Sequence, residues 1–197
     1  MTLGRAVFAL LISALLFGCA TSGTNVKPGY KLKTNAATGL VVGTVTVAGG
    51  PLASRPILSY ERVDWDVRGR LGFDHAVSSP SSRNDPPHCL MKTVMIELPE
   101  GEYRISEIDF PYSSQLGDFS YHADVDVRFR AVAGSAVYLG DLFMQARTLS
   151  WPRGVVEEIR SMSVRDLFDA DAQIFDATFP SVQIRRSPAA LFRIGGS

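Results

Sequence analysis

Residues 121–131 read "YHADVDVRFRA" and alternate apolar and polar side chains along their whole length. The apolar set is Tyr121, Ala123, Val125, Val127 and Phe129, and the polar set is His122, Asp124, Asp126, Arg128 and Arg130. Successive side chains of a β-strand point to opposite faces of the sheet. The pattern therefore predicts a long strand with one face on a core and the other face in water.

Further stretches predict the rest of a β-rich domain. "GLVVGTVTVAGGPL" (39–52) is a strand rich in Val and Thr that ends in a Gly-Gly-Pro turn, and "RPILSYERVDW" (55–65) is a second candidate strand. "MKTVMIELPEGEYRISEIDF" (91–110) contains two alternating runs joined by Pro-Glu-Gly, which predicts a β-hairpin. "VAGSA" (132–136) turns the chain into "AVYLGDLFM" (136–144), whose continuous apolarity predicts a central strand.

One helix is predicted, at about residues 163–179, with Ser163 as its cap and Pro180 at its end. "SVQIRR" and "ALFRIGG", which follow it, predict a final strand pair. Residues 66–91 lack a sustained period and are rich in Ser, Pro and Gly, which predicts a long loop. The predicted fold class is mainly β: an antiparallel β-sandwich at 39–197 with one helix in its C-terminal half.

The N-terminal residues "MTLGRAVFALLISALLFGC" predict export. Arg5 is the only charged side chain before Cys19, and the uncharged stretch 6–17 is twelve residues long. That stretch is too short to span a bilayer, which needs about 20 residues, and it has the pattern of a signal peptide. Residues 16–19, "LFGC", resemble the lipobox of bacterial lipoproteins.

The lipobox resemblance implies a signal peptide at 1–18, cleavage before Cys19, and diacylglycerol and acyl chains on that residue. Residues 19–38 then form the lipidated cysteine and a flexible linker. By the same resemblance, Ala20 after the cysteine favours the cell outer membrane, with the domain facing the periplasm. The membrane is thus a predicted partner, through the lipid anchor alone.

Four stretches also resemble transthyretin-like (prealbumin-like, carboxypeptidase-regulatory-like) β-sandwich modules of bacterial lipoproteins. They are residues 39–63, 94–110, 129–144 and 164–182. The resemblance spans about residues 39–186. It implies a fold and no chemistry, because one fold serves many functions.

Charge and cysteine content narrow the classes of partner. The chain has 20 basic and 20 acidic residues, so its formal net charge of zero gives no general grip on nucleic acid. If Cys19 carries lipid, Cys89 is left without a partner in the chain. We expect Cys89 to be a buried, inert thiol.

No catalytic or metal-binding pattern is evident in the sequence. Ser120, His122 and Asp124 are residue types of a hydrolytic triad, but at alternate positions of one strand they are spaced along its face rather than in contact. His75, His88, Cys89 and His122 lack the spacing of a zinc site. We therefore expect no enzyme activity, no metal and no cofactor. The alternative is an envelope hydrolase or metal-dependent enzyme that uses the 66–91 loop and His122.

Aromatic residues in or near predicted loops are the candidate contacts for a ligand or partner: Trp65, Phe73, Tyr112, Tyr121 and Trp151. Exposed aromatic rings dock proteins or stack on sugars. The predicted function is a non-enzymatic binding or accessory module of the cell envelope, with envelope proteins or peptidoglycan as partners. The alternative within this class is a carbohydrate-binding module for peptidoglycan or another glycan.

The anchoring prediction can be tested in cells. We expect Cys19→Ser to block lipid attachment, so that the chain leaves the membrane fraction, and globomycin to block cleavage of the wild-type precursor. Cys89→Ser, which removes the other thiol, is the matched control and should fractionate like the wild type. Unchanged processing and fractionation in Cys19→Ser and under globomycin would show that the chain is not a lipoprotein.

Overall fold

A computed structural model describes residues 26, 30–33, 36–49, 56–72, 77–78, 83–87, 89–114, 117–151, 154–187 and 191–194. Cys19, the predicted signal peptide at 1–18 and Phe73 lie outside the described residues. In the described part, two sheets pack face to face and one helix covers the outer side of the first sheet. The chain is thus mainly β and sandwich-like, as the strand patterns predict.

The first sheet has the order β4–β5–β1–β8, and β9 and β10 share the outer edge of β8. Its strands are β1 (Thr38–Ala48), β4 (Val77–Ser78), β5 (Cys89–Pro99), β8 (Ala136–Trp151), β9 (Gly154–Arg165) and β10 (Ile184–Arg186). The prediction of a wholly antiparallel sandwich is wrong for this sheet, because β8 runs parallel to both β1 and β10, and the chain passes through the second sheet between β1 and β8. The other pairs of this sheet are antiparallel. β8 is central, as its apolar sequence predicts.

The second sheet has the order β3–β2–β6–β7–β11 and is antiparallel throughout. Its strands are β2 (Ile57–Arg62), β3 (Arg68–Gly72), β6 (Gly101–Ser114), β7 (Gly117–Ala131) and β11 (Arg193–Ile194). β7 carries the alternating stretch with which the sequence analysis began. Val127 and Phe129 are buried between the sheets, whereas His122, Arg128 and Arg130 are exposed on the other face.

The predicted turns at Pro99–Gly101 and at 132–136 do not join strands that pair with each other. β5 pairs with β1 over its full length, and β6 pairs with β2 and β7, so Pro99–Gly101 carries the chain from the first sheet to the second. Residues 132–135 carry it back from β7 to β8 in the same way. An alternating strand followed by a turn has the same pattern whether the next strand pairs with it or faces it across a core, so periodicity could not distinguish the two.

The C-terminal elements also differ from the prediction. β9 continues to Arg165, with Ser163 opposite Phe143 of β8, so the helix, α1 (Phe168–Thr178), begins five residues after the predicted cap. Leu167 is the N-cap residue and gives no side-chain capping hydrogen bond, while the carboxylate of the preceding Asp166 accepts a hydrogen bond from the Phe168 N–H at 3.3 Å. The last two strands do not pair with each other, because β10 joins β8 and β11 joins β7. The predicted loop 66–91 contains β3 and β4.

The outer face of the first sheet is covered. Phe175 of α1 and Phe179, directly after the helix, pack on it. Val26, Tyr30 and Leu32, which belong to the segment predicted as a linker, pack on it too. Cys89 is only 3% exposed, as expected for an inert thiol, and burial raises the pKa of its thiol group. Within the described residues, no helix is both long enough and apolar enough to span a membrane.

Candidate functional site

The outer face of the second sheet carries charged side chains in cross-strand rows. The strand register places Arg68, Glu61, Arg104 and Arg128 in one row across β3, β2, β6 and β7. Side chains directly opposite one another in an antiparallel pair lie about 5 Å apart. The row therefore presents three guanidinium groups and one carboxylate within a span of four strands.

A groove of about 580 Å³ lies along this row. Its walls are formed by Glu61, Arg62, Val63, Asp64, Trp65, Asp66, Arg68, Arg104 and Arg128. Trp65 and Val63, in the connection between β2 and β3, are 67% and 54% exposed, and both are large apolar side chains that would normally be covered. The groove thus combines an exposed aromatic ring with four arginines and three carboxylates.

The connection that carries Trp65 is fixed by backbone hydrogen bonds. The Arg62 N–H donates to the Val67 carbonyl at 2.8 Å, and the Val63 N–H donates to the Glu102 carbonyl of β6 at 2.9 Å. The Arg62 guanidinium lies 5.3 Å from the centre of the Trp65 ring and donates to Asp64 at 2.6 Å. The ring is therefore held in place by its own connection without being covered by it.

Ion pairs order the groove walls. Arg104 contacts Glu61 at 2.5 Å, and Arg68 contacts Asp66 at 3.2 Å, both in water-exposed positions. Such pairs contribute little to stability. Their guanidinium and carboxylate groups keep further donors and acceptors for hydroxyl, amide or carboxylate groups of a ligand.

A second pocket continues the groove. It measures about 450 Å³ and is lined by Ser59, Tyr60, Glu61, Arg68, Gly69, Arg70 and Ser106. Glu61 and Arg68 line both spaces, so the two are adjacent along β2 and β3.

His122 faces carboxylates of the neighbouring strand. It lies opposite Asp109, and its Nδ1 contacts Asp109 Oδ1 and lies 3.3 Å from Glu107 Oε1. The hydrogen bond to Asp109 is the main cause of a raised pKa for His122. Burial opposes ionisation of Asp109, but its carboxylate accepts hydrogen bonds from the His122 ring and the Arg70 guanidinium, which favour the charged form, and the net result is a lowered pKa for Asp109.

The structure places the described aromatic candidates on different elements. Trp65 lies in the groove, whereas Tyr121 is half-buried against the core, with its ring centre 6.3 Å from that of Phe110. Tyr112 lies in β6 opposite Phe119, and Trp151 ends β8 opposite Gly154. The arginines of the row were missed as a group, because only the register of four strands brings them together.

A second charged cluster is enclosed under the helix and the residues before β5. Arg83 has a fully buried side chain that lies 2.8 Å from Asp141 of β8, 2.9 Å from Asp171 of α1 and 3.1 Å from Asp85. Arg165 of β9 also binds Asp141, at 2.6 Å. We call the group of Arg83, Asp85, Asp141, Arg165 and Asp171 the buried ion cluster.

Hydroxyl groups add hydrogen bonds to two carboxylates of the buried ion cluster. The Thr44 hydroxyl of β1 lies 2.8 Å from both Asp141 Oδ1 and Asp171 Oδ2, and the Tyr138 hydroxyl of β8 donates to Asp171 at 2.6 Å. Burial is the main cause of a raised pKa for Asp171, and its hydrogen bond from Tyr138 and the charge of Arg83 offset this only in part. Asp141 and Asp171 are both 0% exposed, so no ligand can reach them in this conformation.

Comparisons with known proteins give no relative from which to infer a function. No family model matches the chain, and no curated protein matches it. Among solved structures, a leucine-rich repeat protein from Bacteroides thetaiotaomicron VPI-5482 aligns with a TM-score of 0.38 and 10% identity. The alignment covers 57% of this chain and 14% of that protein. A likeness this weak carries no argument about fold or function.

The buried ion cluster predicts a large effect of removing Arg83. We expect Arg83→Met to lower the free energy of unfolding by about 3–5 kcal/mol, because three carboxylates lose their shared cation in a buried site. Arg186→Met is the matched control: it removes an exposed pair with Asp166 and should cost about 1 kcal/mol or less. Urea denaturation measures both, and equal losses would contradict the assigned role of Arg83.

Asp171 predicts a pH dependence of stability. Its pKa is raised in the native state, so it keeps its proton to a higher pH than an unfolded aspartate, which titrates near about 3.9. Stability of the wild type should therefore fall, relative to Asp171→Asn, as pH rises from about 4 through the native pKa. Urea denaturation at a series of pH values tests this, with exposed Asp176→Asn of the same helix as control. A difference that grows in favour of the wild type as pH rises would refute it.

Proposed function

We propose that this chain is a lipid-anchored protein of the cell envelope that binds its ligand in the groove beside Trp65. One observation supports the binding role. An exposed tryptophan, in a connection fixed by backbone hydrogen bonds, lines a groove of about 580 Å³ together with arginines and carboxylates. Anchoring at Cys19 and an outer-membrane position facing the periplasm are supported by the lipobox-like residues 16–19. The chain acts in this proposal as a non-enzymatic binding or accessory module.

The finer fold assignment belongs to the same proposal. We infer a transthyretin-like sandwich from the four stretches that resemble such modules. Two face-to-face sheets with a shared core are in keeping with that assignment. In this proposal the outer face of the second sheet, which carries the groove, is the binding face.

The ligand that suits this groove best is a glycan with carboxylate groups, as in peptidoglycan. The flat face of an indole ring stacks on the apolar face of a sugar ring. Arginine binds carboxylates through paired hydrogen bonds, and Glu61 and Asp66 can accept hydrogen bonds from sugar hydroxyl groups. Four arginines against three carboxylates in the lining leave an excess of one positive charge for an anionic ligand.

A protein partner is the second candidate, and one observation favours it. Val63 and Trp65 are both exposed and lie beside several arginines. Tryptophan and arginine dominate the binding energy of many protein interfaces. A hydrolase is less well supported, because the described neighbours of His122 are carboxylates rather than a nucleophile.

Binding to purified sacculi tests the glycan proposal. We expect the wild-type chain to be retained and Trp65→Ala to bind at least about tenfold more weakly, which corresponds to about 1.4 kcal/mol. Trp151→Ala, the same change in the first sheet, is the matched control and should bind like the wild type. Raised salt should weaken retention of the wild type, because the groove carries exposed charges.

The outcomes separate the two candidates. Failure of the wild type to bind sacculi would overturn the glycan proposal, and equal binding by Trp65→Ala would overturn the assignment of the groove. Photo-crosslinking from position 65 in intact cells then identifies a protein partner, if the groove binds one.

A further inference from the structure

Three side chains of types that bind metal ions come together on the outer face of the second sheet, beside Arg70. Glu107, Asp109 and His122 each offer one ligand atom, and these atoms all lie within 4.8 Å of one another. We propose that Glu107, Asp109 and His122 form a binding site for a divalent transition-metal ion of the zinc class. The site is independent of the groove ligand and of the lipid anchor.

The strand register builds the site on rigid backbone. Glu107 and Asp109 lie two residues apart on β6, so their side chains leave the same face of the sheet. His122 lies on β7 directly opposite Asp109, and its ring nitrogen Nδ1 is 3.3 Å from Glu107 Oε1. Ligands carried by paired strands are held more exactly than ligands on loops.

Asp109 is oriented for this role. Its carboxylate is only 5% exposed, although it lies on a solvated face, and the two oxygens have different partners. Arg70 of β3 donates to Oδ2 at 2.5 Å, while Oδ1 faces His122. A hydrogen bond of this kind fixes a ligating carboxylate and leaves its other oxygen for the ion.

The donor set indicates the class of ion. One imidazole nitrogen and two carboxylate oxygens suit Zn²⁺ and its transition-metal neighbours, whereas Ca²⁺ and Mg²⁺ prefer oxygen ligands alone. His122 is 62% exposed and Glu107 40% exposed, so an ion has a direct path from solvent. Three protein ligands leave a fourth tetrahedral position for water or for a group of a bound ligand.

Titration of the purified full chain with Zn²⁺ alone, followed by calorimetry, tests the proposal. We expect one ion per chain in the wild type and no detectable binding at this site in His122→Ala. Glu107→Gln should weaken binding at least about tenfold, and Arg70→Ala should weaken it about 10–100-fold, because Arg70 only positions Asp109. Circular dichroism should show that each variant keeps the strand signal of the wild type.

Other potential zinc ligands in the chain provide the matched controls. His75→Ala, His88→Ala and Cys89→Ser should each bind Zn²⁺ like the wild type. Absence of Zn²⁺ binding in the wild type, or equal binding in His122→Ala, would overturn the site. Equal affinity for Ca²⁺ or Mg²⁺ would overturn the assignment to a transition metal.

The Zn²⁺-binding test and the sacculus-binding test can each contradict one proposal without contradicting the other. Loss of Zn²⁺ binding in His122→Ala with normal retention on sacculi supports a separate site. If Trp65→Ala loses sacculus binding but still binds Zn²⁺ like the wild type, the metal site does not depend on the groove.

Discussion

The arrangement of the chain depends on one guanidinium group that has no contact with water. Arg83 precedes β5 in the chain and contacts Asp141 in the middle of the first sheet and Asp171 on the helix. A buried charge is costly unless charged and hydrogen-bonded partners surround it. The segment before β5 and the helix must therefore both stay packed over β1 and β8. If either of them moved away, buried charged groups would lose their partners.

The packing around Arg83 determines which sheet face remains exposed to solvent. The helix, the N-terminal residues Val26, Tyr30 and Leu32, and the segment that carries Arg83 cover the outer face of the first sheet. The second sheet has arginine and carboxylate side chains too, but Arg68 and Asp66 are 72% and 83% exposed there. On the covered face of the first sheet, breaking an ion pair between these residue types costs much folding free energy. On the exposed face of the second sheet it costs little, so the same residue types remain available for ligands.

Periodicity in the sequence located β1, β2 and the long strands β5 to β8, but it missed β3, β4 and β9 and gave no strand partners. The alternation in β7 and the Val-rich β1 follow from side-chain burial within one strand, which a single sequence records directly. Pairing depends on which sheet a turn delivers the chain to, and the turns at Pro99–Gly101 and at 132–135 gave no sign of that. In the sequence, Asp171 stands among the apolar residues Leu167, Phe168 and Phe175 of the predicted helix, and this position gives no sign of its partner. Its partner Arg83 had no local signal at all, because the cluster forms across residues far apart in the chain.

The candidate metal ligands depend on an irregularity in β6. Tyr103 and Ile105 face the core, and so do Ile108 and Phe110, so the buried positions change from odd to even numbers along the strand. The register of both neighbouring strands shifts between Ile105 and Glu107.

In a regular strand, Glu107 and Asp109 would follow Tyr103 and Ile105 into the core, where two carboxylates could not remain ionised without partners. The irregularity turns them outward to meet His122 and Arg70, which is the kind of local redirection that β-bulges produce beside functional sites. The change of parity is visible in "YRISEIDF", and it is the sequence signal from which the outward position of both carboxylates could have been predicted.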